Sequence, residues 1–278
     1  MFVNTVISTH LFAYEALSFE HLKEIKNAGF NQIELWVMKP HLDFTSGAFV
    51  KELETWIKSL SIEIVSLHAP FYFSLSEARK GEWLSISCAD LEKRKKGVEF
   101  IKVAINRLEA FRAKTIVIHP SAPSHNGDSD TYEFLKNSLE KILILTEKLG
   151  IKIALENIPS ELGRTEKLSN FINCLENITL KNCIDTGHAL MTEKEKYADS
   201  IEKMLPNCIN IHLHDNDGIV DSHLPPKEGK IDWERFKNAL IKYKYKGQLT
   251  YEIKKREHQS YADVLKKLSD LDKKDQKK

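Results

Sequence analysis

Short runs rich in β-branched residues alternate with helical patterns from one end of this chain to the other, and that alternation constrains its fold more than any other feature. The runs read as strands at Val3–Ser8, Gln32–Trp36, Glu63–Leu67, Thr115–His119, Lys152–Glu156, Asn182–Asp185, Cys208–His212 and Gln248–Ile253. Between them, apolar residues recur at the spacing of a buried helix face. Phe49, Leu53, Trp56, Ile57 and Leu60 form one such set, and Leu139, Ile142, Leu143 and Leu149 another, ahead of Gly150. Ser18, Asp232 and, more weakly, Thr165 are the expected helix caps.

Strict alternation predicts an α/β protein with a parallel sheet. Eight repeats predict a closed (β/α)8 barrel of the TIM type, whose active site lies at the carboxyl ends of the strands. An open doubly wound sheet would carry a glycine-rich phosphate loop after its first strand, but STHLFAYEALS holds no glycine. No linker divides the chain. Residues 1–271 therefore read as a single barrel, and 272–278 as a charged, disordered tail.

The composition is that of an ordinary water-soluble domain: 42% hydrophobic and 29% charged over 278 residues, with a formal net charge of +1. Such a balance gives no global electrostatic case for nucleic acid. No apolar run approaches the length of a membrane span, and the start reads as a strand rather than a leader, so the expected location is cytoplasmic. The four cysteines show no C-x-x-C pairing, and Cys183 and Cys208 are expected to be buried and reduced.

The chemistry sits at the strand ends. His68, His119, Glu156, Asp185, His212 and Glu252 each close an apolar run, and a parallel barrel gathers such ends at one mouth. Glu156, Asp185, His212 and Glu252 form the inner set, three carboxylates and an imidazole, which suits a divalent metal: Mn, Mg, Co or Zn. His188 follows Asp185 at a spacing that returns to the same mouth, and His212 and His214 point the same way if the strand runs through both. Asp221 and His223, in the long connection from Asp215 to Lys230, offer a further metal position or a solvated loop. His10 can line the pocket, whereas His21, His41, His125 and His258 read as surface or rim residues. Lys254, Arg164 and Lys227 are candidate anion contacts.

Together, the segments VSLHAP, VIHP, ALENIP, CIDTGHA, NIHLHDND, DSHLPPKEGKIDW and LTYEI resemble the xylose isomerase-like TIM-barrel superfamily over nearly the whole chain. That superfamily holds sugar and sugar-phosphate isomerases and epimerases together with the endonuclease IV enzymes (AP endonuclease family 2). In the isomerase branch, the resemblance makes Glu156, Asp185, His212 and Glu252 the metal ligands. Glu156 and Glu252 move the proton there, and His188 contacts substrate hydroxyls; His68, His119 and Lys254 are further candidate substrate contacts. In the endonuclease branch, it makes His68, His119, Glu156, Asp185, His188, His212, Asp221, His223 and Glu252 the ligands of three zinc ions.

The motifs depart from each branch. Phe71 and Tyr72 stand where the endonucleases carry a Tyr-Leu wedge, and ENIPSELGR replaces their ENTAG-like strand end. The arginine that ketose epimerases place after the seventh-strand His is absent near Gly218. On these departures, the expected activity is a divalent-metal-dependent isomerase or epimerase of a sugar or sugar phosphate, working through a metal-stabilised enediolate. The alternative is a zinc-dependent AP endonuclease acting on abasic DNA, with Phe71–Tyr72–Phe73 as wedge or as pocket wall. The motifs leave the oligomeric state open.

Overall fold

The structure, a computed structural model, describes residues 5–122 and 131–276, with side chains as far as Lys273. Eight strands follow one another: β1 (Val6–Ser8), β2 (Gln32–Trp36), β3 (Glu63–His68), β4 (Thr115–Ile118), β5 (Lys152–Glu156), β6 (Leu180–Asp185), β7 (Cys208–Leu213) and β8 (Gln248–Tyr251). Each pairs in parallel with the next, and β1 returns to β8 through Val6 opposite Thr250 and Ile7 opposite Tyr251, closing the barrel. Closure leaves the sheet without an edge and turns every strand's carboxyl end to the same side.

The helices are α1 (Phe19–Asn27), α2 (Gly47–Leu60), α3 (Leu75–Arg79), α4 (Leu91–Leu108), α5 (Tyr132–Leu149), α6 (Thr165–Cys174), α7 (Thr186–Glu193), α8 (Tyr197–Met204), α9 (Trp233–Lys242) and α10 (Tyr261–Gln276). Local chemistry sets their ends. Ser18 forms a capping box at α1, its hydroxyl accepting from His21 N while His21 Nδ1 accepts from Ser18 N. Asp232 caps α9 through Arg235 N, and Gly150 closes α5 at φ 68°, a left-handed conformation that glycine adopts without strain. Thr165 is the first residue of α6 rather than its cap, and its N–H and hydroxyl donate to Glu193 instead.

Strand alternation divides the core in two. Ile33, Leu35, Ile116, Ile118, Ile153 and Leu155 face outward and pack against helix residues such as Leu22, Leu53, Ile101 and Leu139. The intervening residues fill the barrel. Val117, Ala154 and Cys183 form a small apolar layer, and beside it runs a polar one. Ser66 Oγ and Asn210 Nδ2 both donate to Glu34 Oε2, at 2.7 and 2.9 Å, and Thr250 Oγ1 donates to Asn210 Oδ1 at 2.8 Å.

Three expectations need correction. His41 is not on the rim but fully buried, with Nδ1 3.0 Å from the Phe12 and Glu15 carbonyls and Nε2 3.0 Å from Thr9 Oγ1. Burial lowers it to about 4, so it stays neutral and ties the β1 end to the chain after β2. The charged stretch from Asp272 continues α10 as far as Gln276, and Asp272 accepts from the Tyr251 hydroxyl at 2.7 Å. His119 lies one residue past β4, and Ile253 two past β8. His125 and most of the Pro120–Ser129 connection fall outside the described residues. No helix among the described residues is long and apolar enough to cross a membrane.

Candidate metal centre and active site

Each site side chain owes its place to a strand end or to the loop beyond it. His68, Glu156 and Asp185 are the last residues of β3, β5 and β6, His212 is next to last in β7, and His119 and Glu252 directly follow β4 and β8. His188 is on the first turn of α7, where the Asp185 carboxylate accepts its backbone N–H at 2.7 Å and fixes the helix start. Asp221 and His223 come from the β7–α9 loop. Asp215, fully buried, shapes that loop by accepting from the backbone N–H of Asn216, Lys227 and Ile231 and from Trp233 Nε1.

The barrel brings these groups into overlapping donor sets, five among the described residues, and three of them together take in every candidate ligand that the motifs named. His68, His119 and Glu156 form the first; Glu156, Asp185, His212 and Glu252 the second; His188, His214, Asp221 and His223 the third, with candidate ligand atoms within 4.8 Å of one another in each. Glu156 belongs to two of them. Its Oε2 lies 3.3 Å from both His68 Nε2 and His119 Nε2, while Oε1 lies 3.1 Å from His188 Nδ1 in the third. In the second, His212 Nδ1 faces Glu252 at 3.2 Å, Glu156 at 3.5 Å and Asp185 at 3.9 Å. In the third, the His214 and His223 rings stack with centroids 4.0 Å apart, and His223 Nε2 meets Asp221 Oδ2 at 3.0 Å.

Burial works against every charge here, and the neighbours decide the outcome. It would raise Glu156, but the imidazoles of His119 and His212 hold that carboxyl well below its ordinary value; Glu252 and Asp221 are held down in the same way, by His212 and His223. Burial would lower His188, but Asp185 and Asp221 raise it well above the ordinary imidazole. His119 and His223 lack enough opposing charge, and burial leaves them low.

The donors fit divalent cations. Both oxygens of Glu156, both ring nitrogens of His212, Oε1 of Glu34 and Oδ1 of Asp221 are buried with no hydrogen-bond partner, close to opposite charge but out of line for a bond. Native interiors rarely leave such groups unsatisfied, and imidazoles beside carboxylates are the ligands of Zn, Mn, Co or Mg. The four inner residues and all five further candidates, His68, His119, His188, Asp221 and His223, are therefore gathered in one place.

A cavity of about 600 Å³ opens above the clusters. His10 lines it, as expected, and so does Lys254, whose Nζ donates to the Asp221 carbonyl at 3.4 Å. Arg164 and Lys227 do not line it. Arg164 instead sits 3.9 Å from Glu193. Of the Phe71–Tyr72–Phe73 run, Phe71 and Tyr72 are cavity wall, whereas Phe73 lies outside the cavity and is partly exposed. Phe71 stacks on His119 at 4.2 Å, Tyr72 is buried with Trp36 and Met38, and Phe73 packs on Phe100.

Sequence reasoning missed Glu34, Asn157, Arg79 and the role of His214. Glu34 had a signal, a single carboxylate inside the apolar strand QIELW. Asn157 clamps Asp185 from both sides, its Oδ1 accepting from Asp185 N at 2.7 Å and its Nδ2 donating to the Asp185 carbonyl at 3.0 Å. Nothing in the sequence marks Arg79 as a residue at the cavity mouth. His214 Nε2 sits 2.8 Å from Asp185 Oδ1, so it holds a candidate ligand in place.

Known proteins bear out the fold and the superfamily. Residues 22–271 match the family described as Xylose isomerase-like TIM barrel. An uncharacterized protein of Methanocaldococcus jannaschii, MJ1311, is 27% identical over 95% of this chain and 89% of its own. A probable endonuclease 4 of Mycoplasmopsis pulmonis is 24% identical over 74% of this chain and 75% of its own. The crystal structure of a D-tagatose 3-epimerase-like protein superposes with a TM-score of 0.76 at 24% identity, covering 98% of this chain and 99% of the other. With a closed eight-stranded barrel and a family match across most of its length, the chain belongs to the xylose isomerase-like TIM-barrel family.

Proposed function

We propose that the protein is a metal-dependent phosphodiester hydrolase of the endonuclease IV type, acting at abasic sites in DNA. The observation that carries this reading is the triple cluster bridged by Glu156. A mononuclear isomerase has use for Glu156, Asp185, His212 and Glu252 at the ion and for His68, His119 and His188 at the hydroxyls, but it leaves Asp221 and His223 without a task. Three adjoining clusters are what a hydrolase needs at a phosphoryl centre that carries charge on several oxygens. This ordering reverses the one that the motifs suggest.

His68, His119 and Glu156 would hold one cation, Glu156, Asp185, His212 and Glu252 a second, and His188, Asp221 and His223 a third. Bound there, divalent cations acidify water and stabilise negative charge on phosphoryl oxygens. Glu156 keeps the clusters in register, since its two oxygens face different imidazoles. Lys254, at the cavity wall, and Arg79, at its mouth, supply positive charge for the flanking phosphate. Phe71, Trp36 and Tyr72 shut out bulk water on one side, which strengthens each of these charge interactions.

A second reading, isomerisation or epimerisation of a sugar or sugar phosphate, draws on a different observation. The aromatic run after β3 encloses a small chamber instead of offering a wedge to a duplex. Glu156 and Glu252 would then move a proton between neighbouring carbons, with His68, His119 and His188 orienting hydroxyls. Metal content and two assays separate the readings. Three tightly held zincs with cleavage of a duplex at its abasic site support the first. One exchangeable ion, with deuterium entering a sugar at a single carbon from D₂O, overturns it in favour of the second.

A further inference from the structure

We propose that Glu34 is a positioning residue that presents His212 to the central cluster through Nδ1, by keeping the proton of that ring on Nε2. This rests on the reading that His212 is a metal ligand, and it holds for the hydrolase and the isomerase alike, because both need the cluster that contains His212.

Glu34 sits on β2, fully buried, opposite the ring face that His212 turns to the carboxylates. Its Oε1 lies 3.1 Å from His212 Nε2, close enough to pair though out of line for a hydrogen bond, and neither atom has a hydrogen-bond partner; His212 Nδ1 faces Glu252, Glu156 and Asp185. Its other oxygen is saturated: Oε2 accepts from Ser66 Oγ and from Asn210 Nδ2. Asn210 is in turn held by Thr250 Oγ1, so β2, β3, β7 and β8 all fix the carboxylate. A carboxylate immobilised at Oε2 has Oε1 left for one neighbour, and that neighbour is the far nitrogen of a candidate ligand. An imidazole with an acceptor beside one nitrogen carries its proton there and offers a lone pair at the other. A carboxylate buried only to fill the barrel would have no reason to aim an oxygen at Nε2, since Ser66 and Asn210 can be satisfied by a carboxamide.

The test uses the full chain labelled with ¹⁵N-histidine and loaded with ¹¹³Cd. In the native protein, His212 is expected to show nitrogen–cadmium coupling at Nδ1 and a protonated Nε2. Glu34→Gln keeps size and the Ser66 contact but can offer an N–H towards His212. It is expected to weaken cadmium binding at the central cluster by about 10–100-fold in a chelator competition. Coupling at Nε2 in the native protein, or unchanged affinity in Glu34→Gln, overturns the assignment alone. A native chain that takes up no cadmium overturns it together with the metal reading. Should Glu34→Gln fail to fold, the native spectrum decides.

Discussion

Glu156 is the residue on which the site turns, because its two carboxylate oxygens face imidazoles of different clusters. Glu156→Gln removes the charge while keeping the shape, so activity on either candidate substrate is expected to fall by about a thousandfold, or ~4 kcal/mol of transition-state stabilisation. Metal content by elemental analysis should fall with it; full retention of metal and rate would contradict the shared-ligand geometry. Gly187 carries a quieter constraint. A Cβ there would stand 2.0 Å from His214 Cε1 and 2.5 Å from its Nδ1, so the ring that secures Asp185 has its place only because residue 187 is glycine. Gly187→Ala should cost about 1–3 kcal/mol by denaturant unfolding and weaken ion binding as His214 is displaced. His41 shows the limit of reading residues singly. The sequence read it as a surface or rim residue, and only the convergence of the Phe12, Glu15 and Thr9 partners satisfies a buried histidine there.

At the scale of elements, the β7–α9 loop does most to complete the third cluster. The Asp215 carboxylate gathers three backbone N–H groups and the Trp233 indole, and this frame delivers Asp221 and His223 to the mouth. Asp215→Ala orphans buried donors, each costing about 1–3 kcal/mol, so a loss of about 3 kcal/mol or more is expected. On the proposed three-ion reading, the third cluster loses its ion first, visible as one metal fewer per chain with the other two retained. Ser18→Ala serves as a contrast. It removes the α1 cap and should cost about 1 kcal/mol in chemical denaturation while leaving metal content untouched. Helix ends such as Ser18 and Asp232 were legible because a cap is chemistry between residues a few positions apart. The role of the Phe71–Tyr72–Phe73 segment was not. Whether aromatic rings project or wall a chamber depends on Trp36, Met38 and Phe100, which lie far from them in sequence.

At the scale of the whole molecule, the metal-free protein should be most stable near pH 6.5. Going alkaline, the groups that matter are His68, His188, His212 and His214. Burial depresses each, yet acidic neighbours raise all four above 6.5, so the stability they contribute below pH 6.5 is lost as pH rises through their folded values. Going acid, His10, His41 and His119 are lowered by burial; they must charge on unfolding, and stability falls as pH drops below 6.5. Below 4.5, protonation of Glu156 and Glu252 removes a further share. Ion binding requires deprotonated imidazoles, so saturating zinc should lift the alkaline limb and leave the acid limb little changed. Melting temperatures measured across pH with and without zinc check both signs; an alkaline limb that zinc does not move would count against ligation by these histidines.

The amino-acid sequence by itself determined the barrel and the identity of most of its donors. A period-two or period-3.6 hydrophobic pattern is a local property, and in a parallel closed sheet every strand's last residue must arrive at the same mouth. What it left open was which groups touch. Glu34 and Asn210 are 176 positions apart, yet they share a hydrogen bond beneath His212. The bridging of clusters by Glu156 depends in the same way on how neighbouring strands are staggered. Distances between distant residues follow from strand register and barrel closure, which are products of the packed fold, and only the tertiary structure decided them.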